Sequence, residues 1–239
     1  MKINKLAVAC AAFAASLAGC SFVEPGAISA KPRDGEIRYA AADDENAPLE
    51  ELSRQCAKYV TGRYYYSAAT TCHKAADDGD APSQTEVGLM YKKGKGFAKD
   101  ENLAFYWLAE AASQGYLKAE YEIARCYVEG IGTEVDLEEA VDWAERAAEA
   151  GYGRAQAYYG WMLETGTGVK RDYRQAIEWY RKAARKGISS AMRSLARMNR
   201  MGIGVPKNEG KYRYWQRMAV SAAAREECMS ALDGECLVK

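Results

Sequence analysis

The sequence predicts an all-α protein, an α-solenoid of about five stacked two-helix repeats with a 36-residue period and a C-terminal capping helix. Three observations lead to this fold class: strict internal repetition, helical spacing of apolar residues within each repeat, and glycine and aspartate at the helix ends. One two-helix repeat cannot bury its apolar faces alone, so the repeats are expected to stack. Tryptophan marks the period most clearly, at Trp107, Trp143, Trp179 and Trp215.

Each repeat is expected to hold two helices joined by a Gly-x-Gly turn. In the repeat 117–152, Ala119 and Ile123 lie on one face of the first helix. Gly130 ends that helix, because glycine tolerates the left-handed conformation at a helix C-cap. Asp136 begins the second helix, where its carboxylate accepts hydrogen bonds from exposed backbone N–H groups.

The period also divides the chain into segments. Four repeats run without insertion through residues 81–224, with boundaries at 81–116, 117–152, 153–188 and 189–224. Residues 48–80 are predicted to form a degenerate N-terminal repeat, in which Thr71 replaces the tryptophan. Residues 225–239 are predicted to form a C-terminal cap and tail, because terminal units of a solenoid depart from the consensus.

The third repeat carries the full pattern at Ala155, Gly160, Gly166, Gly168, Asp172, Ala176, Trp179, Ala183, Ala184 and Gly187. This pattern resembles the Sel-like repeat, a branch of the tetratricopeptide-type solenoids, and the resemblance covers residues 81–224. It implies a scaffold that binds a protein or peptide partner in a concave groove lined by the first helix of each repeat. It does not define an activity, because such folds are scaffolds on which function is placed.

The groove-lining positions should be the second, fifth, ninth and twelfth of each repeat, which form one helical stripe. The stripe is basic and carries two aromatic residues, and Glu164 is the opposing acid. Arginine presents a planar fork to carboxylates, and tryptophan or tyrosine adds apolar contact area. We therefore expect an acidic partner, either a peptide segment or an anionic envelope glycan, with an ordinary solvated helix face as the alternative. The predicted groove residues are Lys92, Lys118, Tyr121, Arg125, Arg154, Trp161, Arg193, Arg197 and Arg200.

The sequence gives little support for catalysis, and we assign no catalytic residue, metal ligand or cofactor. The single histidine, His73, follows Cys72, but adjacent helix residues point away from one another, so a surface or capping position is expected. Cysteine-rich relatives of the Sel-like repeat have been described as penicillin-binding proteins and β-lactamases, so the resemblance leaves that activity as the alternative function. A serine β-lactamase needs an S-x-x-K motif, and no serine here has lysine three residues later. The balanced charge, 33 basic and 33 acidic residues, argues against nucleic acid as a partner.

The N-terminus has the features of an export signal. Lys2 and Lys5 precede an apolar run that is too short to span a bilayer. The run ends in Leu-Ala-Gly-Cys at Cys20, which resembles the lipobox of bacterial lipoproteins. The resemblance implies that residues 1–19 are a signal peptide and that Cys20 is lipidated, with 20–47 as a flexible tether. Ser21 after the cysteine resembles an outer-membrane address, which predicts a protein anchored in the cell envelope and facing the periplasm. An ordinary secretory signal or a buried N-terminal helix is the alternative.

Four other cysteines are placed to form two bridges, because an exported chain lies where disulfides persist. Cys56 and Cys72 lie on the two helices of the degenerate repeat, and Cys228 and Cys236 flank the final helix. Cys126 occupies an apolar core position and is predicted to be buried and unpaired. Metal binding is the rival use of these cysteines, but the sequence has no CxxC and no histidine at ligand spacing.

Overall fold

The computed structural model describes residues 47–230, with side chains described as far as residue 226. The predicted signal peptide, the lipidation site Cys20, the tether before residue 47 and the predicted Cys228–Cys236 bridge therefore lie outside the described residues or side chains. The described part is helical throughout, which confirms the all-α prediction. Its helices are α1 (Leu49–Thr61), α2 (Tyr65–Asp77), α3 (Ala81–Lys93), α4 (Glu101–Ser113), α5 (Leu117–Glu129), α6 (Leu137–Glu149), α7 (Gly153–Thr165), α8 (Tyr173–Arg185), α9 (Ser189–Met201) and α10 (Glu209–Ser230).

The helices pack in chain order, each against the one before and the one after it. The pairs α3/α4, α5/α6, α7/α8 and α9/α10 are the first to fourth repeats, and α1/α2 is an N-terminal unit stacked on the first repeat. This arrangement confirms the predicted solenoid. It also brings the first helices of neighbouring repeats side by side.

The first glycine of each turn ends a helix in the left-handed conformation, with φ of 68° at Gly130 and 79° at Gly166. An aspartate then caps the following helix. The carboxylate of Asp136 accepts a hydrogen bond from the backbone N–H of Glu139 at 3.1 Å, and Asp172 caps α8 in the same way. The expected cap geometry is therefore confirmed at both ends of the turn.

The second glycine of each turn has a different role, because it touches the preceding repeat. A Cβ atom at Gly132 would collide with the backbone carbonyl of Glu101, at the start of α4. Gly168 lies equally close to the carbonyl of Leu137, at the start of α6. Each loop therefore rests on the previous second helix, and only glycine allows so close an approach. The second glycines of the first and fourth repeats make the same kind of contact, Gly96 with Tyr65 and Gly204 with Tyr173.

The core between the helices is built from small residues. Ala111, Ala147 and Ala183 have no exposed surface, and such small side chains allow the helices to approach closely. Trp107 is buried, whereas Trp179 is only half-buried and carries the Lys182 ammonium 3.5 Å from its ring centroid. In the second and third repeats the tryptophan thus lies at the edge of the core, where a cation covers the ring of Trp143 and of Trp179.

The C-terminal cap predicted from the sequence is the continuation of α10, which runs without a break to Ser230. The carboxylate of Glu226 accepts hydrogen bonds from the backbone N–H of Ser189 at 3.1 Å and from its hydroxyl at 2.7 Å. A side chain of α10 therefore occupies the N-terminal end of α9, where backbone N–H groups lack helical partners.

The N-terminal unit is closed by a disulfide between Cys56 and Cys72, whose Cα atoms are 4.7 Å apart. The expectation of a surface or capping position for His73 is wrong: the side chain is 3% exposed and packs edge-on against Trp107 at 5.2 Å. The first repeat covers the side of α2 that carries His73. The sequence of the N-terminal unit alone does not indicate this contact. Cys126 is buried and free, as predicted.

Candidate functional site

The exposed sides of α3, α5, α7 and α9 form one continuous surface, which we call the first-helix face. Side chains on successive first helices touch across it, as in the ion pair between Lys118 of α5 and Glu86 of α3. All nine predicted groove residues belong to these four helices. We divide the face into an N-terminal half on α3 and α5 and a C-terminal half on α7 and α9.

In the N-terminal half the cations are paired with acids. The Lys92 ammonium lies 3.4 Å from the Glu122 carboxylate and 3.9 Å from that of Glu129. The Arg125 guanidinium reaches the same two acids, at 3.4 Å and 2.8 Å. Burial alone would lower the pKa of Arg125, but Glu122 and Glu129 raise it overall. The predicted groove cations of this half, Lys92, Lys118 and Arg125, are therefore matched by acids of the protein itself.

An aromatic cluster lies where the two halves meet, and it consists of Tyr121, Tyr152, Tyr158 and Trp161. Tyr121 lies 5.7 Å from both Tyr152 and Tyr158, measured between ring centroids. Trp161 stacks on Tyr158 at 5.2 Å and keeps 36% of its surface exposed. Burial raises the pKa of all three tyrosines, so their hydroxyl groups are neutral at pH 7 and can donate hydrogen bonds. The cluster presents an apolar ring face with polar edges.

In the C-terminal half the arginines point into solvent. Arg154 and Arg193 are exposed and form no ion pair with any residue of the described part. Arg197 is half-exposed and lies 2.5 Å from the carboxylate of Glu164. Glu164 is buried and also accepts a hydrogen bond from the Tyr180 hydroxyl at 2.8 Å. This half therefore carries unmatched positive charge beside the aromatic cluster.

The last predicted cation, Arg200, lies 5.4 Å from the ring centroid of Tyr212 on α10. The guanidinium is covered on one side by the ring, which is favourable in energy. Arg200 therefore contributes to the end of the stack as well as to the first-helix face.

The sequence reasoning missed four residues of this face: Glu86, Glu122, Glu129 and Tyr158. Glu164, the acid predicted to oppose the stripe, pairs with Arg197, but the stripe leaves out the positions one residue further along each helix. The missed residues occupy the sixth and thirteenth positions of their repeats, and the second, sixth, ninth and thirteenth positions also form a helical stripe. Drawing both stripes would have found them. Neither stripe shows that a cation on one first helix pairs with an acid on the neighbouring first helix. Lys92 of α3 and Glu122 of α5, about 30 residues apart, form such a pair.

The described residues give no second site with clear chemistry. Cys72, the neighbour of His73, is in a disulfide and so presents no thiol. Burial raises the pKa of Cys126 to about 11, so this thiol is protonated at neutral pH and is a poor nucleophile. Between residues 47 and 226, no three histidine, cysteine or acidic side chains are grouped to hold a metal ion. In the same part of the chain, no helix combines the length and the apolar character needed to cross a membrane.

A stack of two-helix repeats that exposes one side of its first helices defines an α-solenoid scaffold. The chain belongs to the Sel1 repeat family: the family model matches residues 81–116, 117–152, 153–188 and 189–220. These bounds agree with the 36-residue period, and Sel1 repeat proteins generally bind protein partners.

Solved structures support the assignment. The crystal structure of a Sel1 repeat protein from Oxalobacter formigenes is 32% identical, with a TM-score of 0.66 over 73% of this chain and 71% of that chain. A second match is c5321, a protective antigen present in uropathogenic Escherichia coli strains and displaying an SLR fold. It is 31% identical, with a TM-score of 0.61, and the match covers 74% of this chain but 41% of that chain. A putative Sel1 repeat protein from Klebsiella pneumoniae, 18% identical with a TM-score of 0.54 over 77% of this chain and 93% of that chain, shares the fold. None of the curated proteins compared with the chain matches it.

Proposed function

We propose that the protein is a lipid-anchored scaffold of the bacterial cell envelope that binds an acidic protein segment on the C-terminal half of its first-helix face. The observation that carries this proposal is the pair of exposed arginines, Arg154 and Arg193, on the same half of the face as the exposed ring of Trp161. To bind a charged partner, a scaffold needs charged side chains that are not already paired within the protein. The C-terminal half of the first-helix face has such side chains.

The chemistry of the surface favours carboxylates next to an apolar side chain. Arginine binds carboxylates through two parallel N–H groups, which gives geometric specificity as well as affinity. Tryptophan, tyrosine and arginine are the residues enriched at the energetic centres of protein interfaces. The Tyr158 ring supports Trp161 from behind, so the indole loses little conformational freedom when a partner covers it.

The N-terminal half is a weaker candidate for the same partner. An acidic segment bound there would have to compete with Glu122 and Glu129 for Lys92 and Arg125. Both acids would also repel it. The binding surface is therefore expected to begin at the aromatic cluster and to extend along α7 and α9.

The anchor is proposed from the sequence of residues 1–20, which lie outside the described part. Its support is the order of a short basic start, an apolar run and Leu-Ala-Gly-Cys. Mass spectrometry of the N-terminal peptide from cell membranes should find Cys20 as the first residue and carrying acyl chains. A Cys20→Ser variant should leave the membrane fraction. An unmodified N-terminus, or a membrane fraction unchanged by Cys20→Ser, would contradict the anchor.

The groove proposal can be tested with short synthetic peptides that combine glutamates with one leucine or phenylalanine. The tightest binder is then measured against Trp161→Ala and against the double variant Arg154→Ala/Arg193→Ala. We expect each to weaken binding about tenfold or more, because both remove groups at the centre of the proposed interface. The matched control is Arg174→Ala/Arg185→Ala, which removes two exposed charges from α8 instead.

The control distinguishes a site from general charge attraction. Equal losses in the two double variants would mean that the peptide senses only net charge, and the proposed site would be wrong. Unchanged binding in Trp161→Ala would also exclude the aromatic cluster. If an anionic glycan bound in the same variant-dependent way while no peptide did, the partner class would be wrong although the surface was right.

A further inference from the structure

A second surface lies at the opposite end of the solenoid from the unpaired arginines, where the N-terminal unit meets the first repeat. We call it the tyrosine–lysine edge and define it by six exposed residues: Lys58, Arg63, Tyr64, Tyr66, Lys93 and Lys95. We propose that this edge binds the anionic lipid headgroups of a bilayer surface.

The turn between α1 and α2 pushes two tyrosines into solvent. Arg63 has a φ of 56°, which is uncommon for a residue with a side chain, and the chain reverses there. The N–H of Tyr64 then donates to the carbonyl of Tyr59 at 2.9 Å, which closes the turn. Tyr64 and Tyr66 are left 65% and 74% exposed, among the most exposed large side chains of the described part.

The loop after α3 holds a lysine beside these tyrosines. Gly96 of this loop rests against the backbone carbonyl of Tyr65, so the loop and the α1–α2 turn are packed together. The Lys95 ammonium lies 4.7 Å from the ring centroid of Tyr65 and 3.4 Å from its hydroxyl. The C-terminal ends of α1 and α3 therefore place aromatic and basic groups on one edge.

The charge on this edge is not neutralised by the protein. Lys58, Arg63, Lys93 and Lys95 form no ion pair with any residue whose side chain is described. At the corresponding positions of the second repeat, Glu129 and Ile131 stand in place of Lys93 and Lys95. Positive charge without a partner attracts anionic surfaces, and the attraction adds up over neighbouring lysines and arginines.

The composition of the edge fits a bilayer surface. Tyr64 and Tyr66 are both exposed at the turn between α1 and α2. Tyrosine is enriched at the level of lipid headgroups, because its ring is apolar and its hydroxyl remains hydrated. Flanking lysines and arginines then contact the phosphates. The inference depends neither on the groove proposal nor on acylation of Cys20.

Lysine footprinting of the full chain tests the proposal, since each amine reports separately. The chain is mixed with vesicles of phosphatidylcholine alone or with added phosphatidylglycerol, and acetylation rates are measured by mass spectrometry. We expect the rates at Lys58, Lys93 and Lys95 to fall several-fold on the anionic vesicles only. Lys170 and Lys207, which are exposed in other loops, are the internal controls and should react equally in both.

A variant adds a second readout. Arg63→Glu/Tyr64→Ser/Tyr66→Ser should abolish the protection of Lys93 and Lys95, while Lys170→Glu/Lys207→Glu should leave it intact. Equal rates on the two kinds of vesicle would overturn the proposal, whether or not the chain is bound to them. Protection by soluble polyglutamate but not by anionic vesicles would also overturn it, because the edge would then bind acidic polypeptides. Neither result bears on Trp161 or Arg193, so the groove proposal is tested separately.

Discussion

The two halves of the first-helix face use the same helix positions but leave different amounts of charge available. In the N-terminal half, Lys92, Lys118 and Arg125 each lie within ion-pair distance of a glutamate. In the C-terminal half, Arg154 and Arg193 have no such acid among the described residues. Part of the difference lies at the sixth position of the repeat, where Glu86 and Glu122 of the first two repeats are replaced by Tyr158 and Ser194 in the last two. The thirteenth position adds to it, because Glu129 of the second repeat is replaced by Thr165 in the third.

This comparison shows that a count of cations along a stripe does not measure the charge that a partner can use. The residues at the sixth and thirteenth repeat positions decide whether the cations are matched by the protein itself or remain open to a ligand. A solenoid can therefore confine binding to part of a uniform scaffold by changing two residues per repeat. The following predictions test that difference, from the largest expected effect to the smallest.

We expect the two halves to differ most in how much the free energy of unfolding falls when the buried glutamate of each half is replaced. Glu164→Ala leaves the buried Tyr180 hydroxyl without its acceptor, and we expect a loss of about 2 kcal/mol in the free energy of unfolding. Glu122→Ala should cost about 1 kcal/mol or less, because Glu129 remains close to both Lys92 and Arg125. Urea denaturation followed by circular dichroism measures both. Equal losses would mean that the two acids have the same structural role.

Moving the acid into the C-terminal half should close the binding surface. Ser194→Glu places a carboxylate at the position of Glu122, three residues before Arg197, and should match part of the open charge. We expect about tenfold weaker binding of the acidic peptide. Ser194→Gln, of similar size but neutral, is the control and should change affinity much less. Equal weakening in both variants would show that bulk, and not charge, blocks the site.

Alkaline pH should affect the two halves differently through Cys126, which lies beneath the ion pairs of the N-terminal half. Burial raises the pKa of this thiol to about 11, so the unfolded chain loses the proton first as the pH rises. The thiol therefore does not change the free energy of unfolding below about pH 9. Between about pH 9 and 11 it lowers the free energy of unfolding as the pH rises. At pH 10 the loss should be about 1 kcal/mol.

The measurement is the slope of unfolding free energy with pH in Cys126→Ala compared with the unchanged chain. The slope between pH 9 and 11 should become shallower, because one titrating group has been removed. Met162→Leu, at the same repeat position in the C-terminal half, removes no titrating group and should leave the slope unchanged. A slope unaffected by Cys126→Ala would mean that the tyrosines account for the whole alkaline loss.

Much of the fold followed from the repeat itself. The period fixed the helix boundaries, because Gly130 and Asp136 determine where one helix ends and the next begins through local backbone chemistry. His73 was misplaced because its burial depends on Trp107, which belongs to the next unit along the stack. Contacts between repeats follow from the stacking geometry and not from any one repeat's pattern.

The candidate site was predictable in its residue types but not in its charge balance. The stripe included Trp161 and the arginines, which lie on the first helices at repeat positions that point away from the core. It omitted Glu122 and Glu129, whose effect on Lys92 depends on the distance between α3 and α5. Which cations remain free is therefore a property of neighbouring helices.

The close contact made by the second glycine of each turn gives the assembly of the stack a direction. Every such glycine rests on a helix that comes earlier in the chain, as Gly132 rests on Glu101. Synthesis delivers the N-terminal residues first. Each arriving loop therefore meets a surface that is already folded, starting from the unit that Cys56 and Cys72 hold together. The stack can grow one repeat at a time as the chain leaves the ribosome, without waiting for α10.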